Sequence, residues 1–194
     1  MPRPKAFHPD AALDRAMDLF WRNGFEASSL SALLDAMAIS RQSLYNTFGN
    51  KRELFLAVLD RYAQMKALQR MTLQQPGAGL AEVQFYFERL IARMEAQPEY
   101  GACLMTVAAV ELGLQDWAVK ERIERHDKQL TEALEGALRV ASTDQSWEYR
   151  KQAKKLLALS KGLGVLARSG VDSPTLLELV ASEMALLSPG QNSG

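Results

Sequence analysis

Residues 28 to 48, SSLSALLDAMAISRQSLYNTF, constrain this chain more than any other stretch, because their spacing reads as two short helices joined by a tight turn. Ser28 is placed to cap the first helix, in which Leu30, Leu33, Leu34 and Met37 recur at i, i+3, i+4 and i+7 and make one apolar face. Ala38 and Ile39 form the turn. Ser40 caps the second helix, whose Leu44 and Phe48 lie four apart and so share the face that packs on the first. At about 100° per residue, Gln42 and Asn46 then point almost opposite Leu44, with Ser43 and Tyr45 flanking them.

That outward face holds amides, hydroxyls, a phenol and a single charge, Arg41. A solvated surface helix ordinarily carries Glu and Lys pairs, whereas these hydrogen-bonding groups suit base edges and phosphates. The spacing by itself is equally compatible with an ordinary helical hairpin that has a polar face.

The window from about Asp10 to Tyr62 resembles the N-terminal domain of the TetR/AcrR family of transcriptional regulators. The likeness is carried in order by LFWRNGFEASSLSALLDAMAISRQSLYNTFGNKRELF. Its parts are an aromatic-ended first helix, Asn23-Gly24-Phe25, the Ser28-Ser29 pair, the helix-turn-helix, Leu44-Tyr45-Asn46-Thr47-Phe48, and Lys51. It covers about a quarter of the chain. One departure is Thr47, where the family often has His, so a ring contact to phosphate becomes a hydroxyl contact.

The resemblance implies an all-α fold: an N-terminal three-helix helix-turn-helix domain joined by a long helix to a C-terminal helical ligand-binding and dimerisation domain. It places the DNA-binding domain at 1–50, the second domain at 51–188 and a disordered tail at 189–194. It further implies a repressor that binds a pseudo-palindromic double-stranded operator as a homodimer and is released by a small-molecule effector. Within the matched motif, Gln42 and Asn46 fall to base reading, with Arg41 and Ser43 beside them. Ser28, Ser40, Tyr45, Thr47 and Lys51 fall to the phosphates, and Ser29 is a further DNA-contact candidate. Lys51 starts the fourth helix, where Asn50 and Glu53 form an Asn-x-x-Glu capping box and a phosphate would meet free N–H groups and an ammonium. Arg3 and Lys5, between prolines in an extended arm, are placed to reach the minor groove or backbone.

Two other classes are open to a chain of this kind: a DNA-binding activator or architectural protein without an effector, and a helical enzyme or carrier. The enzyme reading lacks its parts, for there is no Glu-x-x-His pair, Gly-rich phosphate loop or Ser/His/Asp motif. Cys103 is the one cysteine, and His8 and His126 are far apart, which excludes an intramolecular disulfide and a Cys/His zinc cluster. No metal or cofactor is expected.

Composition agrees with helices: Val, Ile and Thr are scarce beside Leu, Ala, Met, Glu, Lys and Arg. Net charge is zero, with nine Lys/Arg against seven Asp/Glu in residues 1–66 and 14 against 16 beyond, so DNA affinity rests on a few well-placed cations. The start, MPRPKAFHPD, lacks an apolar h-region, and no run approaches the roughly 18 apolar residues of a membrane span. A cytoplasmic location without membrane contact is the expectation.

Pro9 opens helix 1 and Gly24 stops it; helix 4 runs to about Met71, and the Pro/Gly-rich Thr72–Gly79 reads as a boundary. Five helices are expected beyond it. One has Val83, Tyr86, Phe87, Leu90 and Met94 on one side. The next, ACLMTVAAVEL, is apolar nearly all round and expected to be buried. Later helices span Trp117 to Val140, about Trp147 to Arg168, and Pro174 to near Ser188. Tyr86, Leu90, Met94, Cys103, Met105, Thr106, Trp117, Ile123 and His126 are candidate effector-pocket residues, although Met and aromatic residues at helical spacing also fit plain core. Leu156, Ser160, Leu163, Gly164, Ala167 and Val180 are the candidate dimer interface, since small residues there permit close helix approach.

Overall fold

A computed structural model describes residues 7–141 and 148–187. Arg3, Lys5, the start of the helix at Trp147, Ser188 and the tail at 189–194 lie outside these. The described residues form nine α-helices: α1 Pro9–Asn23, α2 Leu30–Met37, α3 Arg41–Phe48, α4 Lys51–Arg70, α5 Leu80–Ala96, α6 Leu104–Leu112, α7 Trp117–Ala141, α8 Tyr149–Arg168 and α9 Ser173–Leu187. The fold is all-α, and α4 leads from the N-terminal helices towards the C-terminal helical bundle.

The chain divides into two compact units, one of residues up to 65 with 104–123, the other of 66–103 with the chain from 124 onward. This differs in extent from a boundary at residue 50. Leu54, Phe55, Val58, Leu59 and Tyr62 of α4 are buried, and in the first unit Phe55 meets Phe20 and Phe25 with ring centroids 4.9 and 5.0 Å apart. Tyr62 lies edge-on to Trp21 at 5.0 Å. The Pro/Gly stretch falls inside the second unit. Met71–Gln74 makes a 3-10 turn whose Leu73 is buried in the core of the second unit.

The α6 expectation also needs correcting. Leu104, Met105, Ala108 and Leu112 are buried, but Val110 is 84% exposed, so this helix has a wet side despite its composition. In the second unit, α5 contributes Val83, Phe87 and Ile91 to a core shared with Leu130, Leu134 and Leu138 of α7, Leu156 and Leu163 of α8, and Val180 of α9. Among the described residues, no helix is long and apolar enough to cross a membrane.

Candidate nucleic-acid interface

Helix α1 begins with Pro9 at its first turn and ends at Gly24, whose φ of 82° is a conformation that a side chain opposes. The turn that follows delivers the chain to α2. Here the cap is Ser29, not Ser28: Ser29 Oγ accepts from Ala32 N–H at 3.1 Å. Ser28 is fully buried and donates its hydroxyl to the Gly24 carbonyl at 2.6 Å, which leaves it no surface for a phosphate. The cap expected of Ser28 is therefore made by Ser29, and Ser28 does not reach the surface.

The turn between α2 and α3 is made by Ala38 in the left-handed region, φ 54°, with Ile39 N–H donating to Leu34 O at 3.2 Å. Ser40 caps α3, accepting from Ser43 N–H at 3.1 Å. Leu44 is completely buried, and this fixes the roll of the helix. Arg41, Gln42, Tyr45 and Asn46 are exposed, and Ser43 and Thr47 are half-buried beside them. Each capping hydroxyl also shares a hydrogen bond with a neighbouring serine, Ser29 with Ser31 at 3.1 Å and Ser40 with Ser43 at 2.9 Å, so the exposed hydroxyls form two short pairs at the helix starts.

Asn50 accepts from Glu53 N–H at 2.9 Å, so α4 is capped as the sequence suggests, but Glu53 turns its carboxylate to Arg52, 2.9 Å away. Lys51 is held from behind. Its ammonium lies 4.4 Å from the Phe25 ring centroid and 3.5 Å from the Glu26 carbonyl. Arg52 is committed elsewhere, forking onto Asp116 with one arm at 2.8 Å. That pair, with backbone N–H groups of Val119 and Ala118, holds the Asp116 carboxyl below the usual carboxylate range.

In the second unit a cleft of about 330 Å³ lies between the end of α4 and α5. Its apolar wall is Leu68, Phe85 and Leu90; its polar groups are Gln69, Thr72, Tyr86, Arg89 and Arg93. Of the expected pocket residues, only Tyr86 and Leu90 line it. Met94 and His126 are buried, and Cys103 is half-buried in the same unit. Met105, Thr106, Trp117 and Ile123 belong to the first unit, and Trp117 is 73% exposed at the start of α7. Two cations were missed, Lys66 and Arg70. The signal was present: they sit four apart on the same side of α4 as Leu59 and Tyr62, where an apolar residue would be expected.

The dimer residues also need correction. Leu156, Leu163, Gly164 and Val180 are buried within the single chain. A Cβ at Gly164 would lie 3.1 Å from Ala102 Cα and 3.2 Å from the Gly101 carbonyl, so this glycine serves internal packing. Ser160 and Ala167 are half-buried. The outward apolar groups of α8 and α9 are Val165, Leu166, Leu177, Leu179 and Leu186, with Ala158 and Gly162 exposed on α8.

A capped helix whose buried side is Leu44 and whose outer side is amides and hydroxyls, set after a tight left-handed turn, defines a helix-turn-helix DNA-binding protein. The model of a family described as bacterial regulatory proteins, tetR family, matches residues 12–58. An uncharacterized HTH-type transcriptional regulator of Bacillus subtilis (strain 168), YezE, is 34% identical over 142 residues, covering 72% of this chain and 73% of that protein. The HTH-type transcriptional repressor ComR of Escherichia coli (strain K12) is 29% identical over 193 residues, covering 95% and 90%. The TetR family regulator CifR, solved as a cysteine mutant with 26bp double-strand operator DNA, superposes with a TM-score of 0.84 at 29% identity, covering 94% of this chain and 98% of that one. The chain belongs to the tetR family of bacterial regulatory proteins. Among the described residues, no group of three His, Cys, Asp or Glu could hold a metal ion.

Proposed function

We propose that this regulator is a repressor that binds a pseudo-palindromic operator as a homodimer and leaves it when a small molecule occupies its second unit. The observation that carries the reading is the outer face of α3, where Gln42 and Asn46 stand exposed opposite the buried Leu44. A similar protein, CifR, is described as complexed with operator DNA, and ComR is named a repressor. Gln42 and Asn46 read bases, flanked by Arg41 and Ser43. Ser29, Ser40, Tyr45, Thr47 and Lys51 hold phosphates, and Arg3 and Lys5 extend the contact from the arm. Functionally, residues 1–50 read DNA and 51–188 bind the effector and the second subunit.

Dimerisation uses the outward α8–α9 face. Four-helix packing there would cover Val165, Leu166, Leu177, Leu179 and Leu186, and the small Ala158 and Gly162 would let the helices come close. The experiment is selection of duplexes from a random pool by the full chain. The expected outcome is two inverted half-sites with centres about 34 Å apart, or a multiple of one helical turn. Recovery of unordered sequences, or of a single half-site, contradicts the proposal.

A further inference from the structure

Along α4, Lys66 and Arg70 occupy buried positions, 7% and 6% exposed. A guanidinium leaves water at a large cost unless a counter-charge compensates it. Arg70 Nη2 donates to the neutral Gln129 Oε1 at 2.8 Å, and Nη1 is buried without a hydrogen-bond partner among the described residues. Burial lowers the pKa of the Arg70 guanidinium, and no carboxylate counters that shift. Tyr86 lines the 330 Å³ cleft. Burial raises its phenol far above the ordinary range, so it stays neutral and a donor.

The cleft repeats this imbalance. Arg89 and Arg93 line it, and none of its lining residues is acidic. Arg89 lies over the Phe85 ring at 5.6 Å, an arrangement that leaves guanidinium edges for a ligand. Gln69, which also lines the cleft, accepts from the buried Lys66 ammonium at 2.9 Å. Two guanidinium groups, with none of the opposite charge, thus line a small, half-apolar space that also presents Leu68, Phe85 and Leu90.

Building on the effector reading above, we propose that this cleft binds a small amphiphilic organic anion, a carboxylate or a phosphate monoester. Its head meets Arg89 and Arg93 and offsets the buried charge of Arg70, while its apolar body rests on Leu68, Phe85 and Leu90. The volume fits a ligand at the small end of those that proteins enclose.

The test is calorimetric titration of the full chain with benzoate, 4-phenylbutyrate, octanoate and phenyl phosphate, each beside the neutral alcohol of the same body. At least one anion is expected to bind about tenfold tighter than its alcohol, the amount a charge-assisted hydrogen bond supplies. Comparing phenyl phosphate with the carboxylates separates the two head groups. Arg70→Met and Arg89→Gln should each weaken that anion about tenfold. Arg70→Met should also raise the melting temperature of the unliganded chain, since it removes a buried charge, an outcome that a purely structural arginine would not give.

Absence of saturable anion binding, equal binding of the alcohols, or undiminished binding by Arg70→Met each overturns the proposal. The same titrations with operator DNA present separate this claim from the effector reading. An anion that binds the cleft equally well with and without DNA leaves the site standing and removes the effector role, because linkage demands reciprocity.

Discussion

The backbone N–H of Phe25 donates to the Glu111 carboxylate at 2.6 Å, joining the turn before the helix-turn-helix to α6 across 86 residues. Gly24 makes this approach possible: a Cβ there would lie 2.1 Å from Glu111 Oε1. The two residues should therefore be coupled. Glu111→Ala is expected to cost about 1.5 to 3 kcal/mol, the worth of a hydrogen bond to a charged group. Gly24→Ala adds about 1 to 3 kcal/mol of backbone strain at its positive φ, plus the clash. In denaturant titrations the clash component should vanish in the double variant, and strict additivity would show that the contact carries no energy.

The division of labour on α3 and α4 can be read from salt. Gln42→Ala and Asn46→Ala should cost about 1 to 3 kcal/mol on the selected operator and little on scrambled duplex. Lys51→Ala should weaken both, and should flatten the slope of log affinity against log salt by about 0.9 for each phosphate left without its cation. A salt titration of each variant on both duplexes checks this. Equal losses on both duplexes for the amide variants, with an unchanged slope for Lys51→Ala, would reverse the assignment.

Two glycines two residues apart on α8 should fail in opposite ways. Gly162 is exposed with nothing within 4 Å of a Cβ, whereas Gly164 faces Ala102 and Gly101. Gly162→Glu should keep or raise the stability of the single chain, since helix propensity alone favours it by about 0.5 to 1 kcal/mol. It should also turn a sedimenting dimer into a monomer. Gly164→Leu should lower the melting temperature through overpacking, at about 1 to 3 kcal/mol or more. A Gly162→Glu dimer as tight as wild type would move the interface off this face.

Lys66 gives the chain an alkaline signature. Burial, reinforced by the charge of Arg93, pushes its ammonium down to about 8 from an ordinary 10.5. Between those two values the unfolded chain binds more protons than the folded one, so stability contributed by this site rises with pH across that window and is flat below it. The expected rise is about 2 to 4 kcal/mol at most. Urea midpoints from neutral pH to pH 10.5 should show it, and Lys66→Met should abolish the rise while being more stable near neutrality. A wild-type profile that falls across the window would contradict the assignment.

The helix-turn-helix was legible because its information is local: Leu44, Phe48 and the capping Ser40 need only their own neighbours to define a face. Ser28 and Ser29 show the limit. Both suit a cap, and which hydroxyl turns inward depends on the Gly24 carbonyl that Ser28 meets four residues back. Gly162 and Gly164 repeat the lesson at longer range, since the approach of Gly101 and Ala102 to one of them is what distinguishes the two. Glu111 and Arg52 were invisible for the same reason, as their partners lie 86 and 64 positions away. Arg70 was different. Its place on an apolar stripe was readable, and its buried charge could have been questioned from the helix pattern.

The seat of Lys51 has a thermodynamic consequence. A lysine side chain free in water carries about 2 kcal/mol of rotamer entropy, and any anion that fixes it must overcome that disorder. Here the ammonium already rests on the Phe25 ring and near the Glu26 carbonyl. Part of the ordering has thus occurred during folding, so a negative group arriving at the start of α4 meets a cation that is already oriented. The hydrophobic packing of Phe25 against Phe55 becomes, by this route, a contribution to anion affinity at the surface.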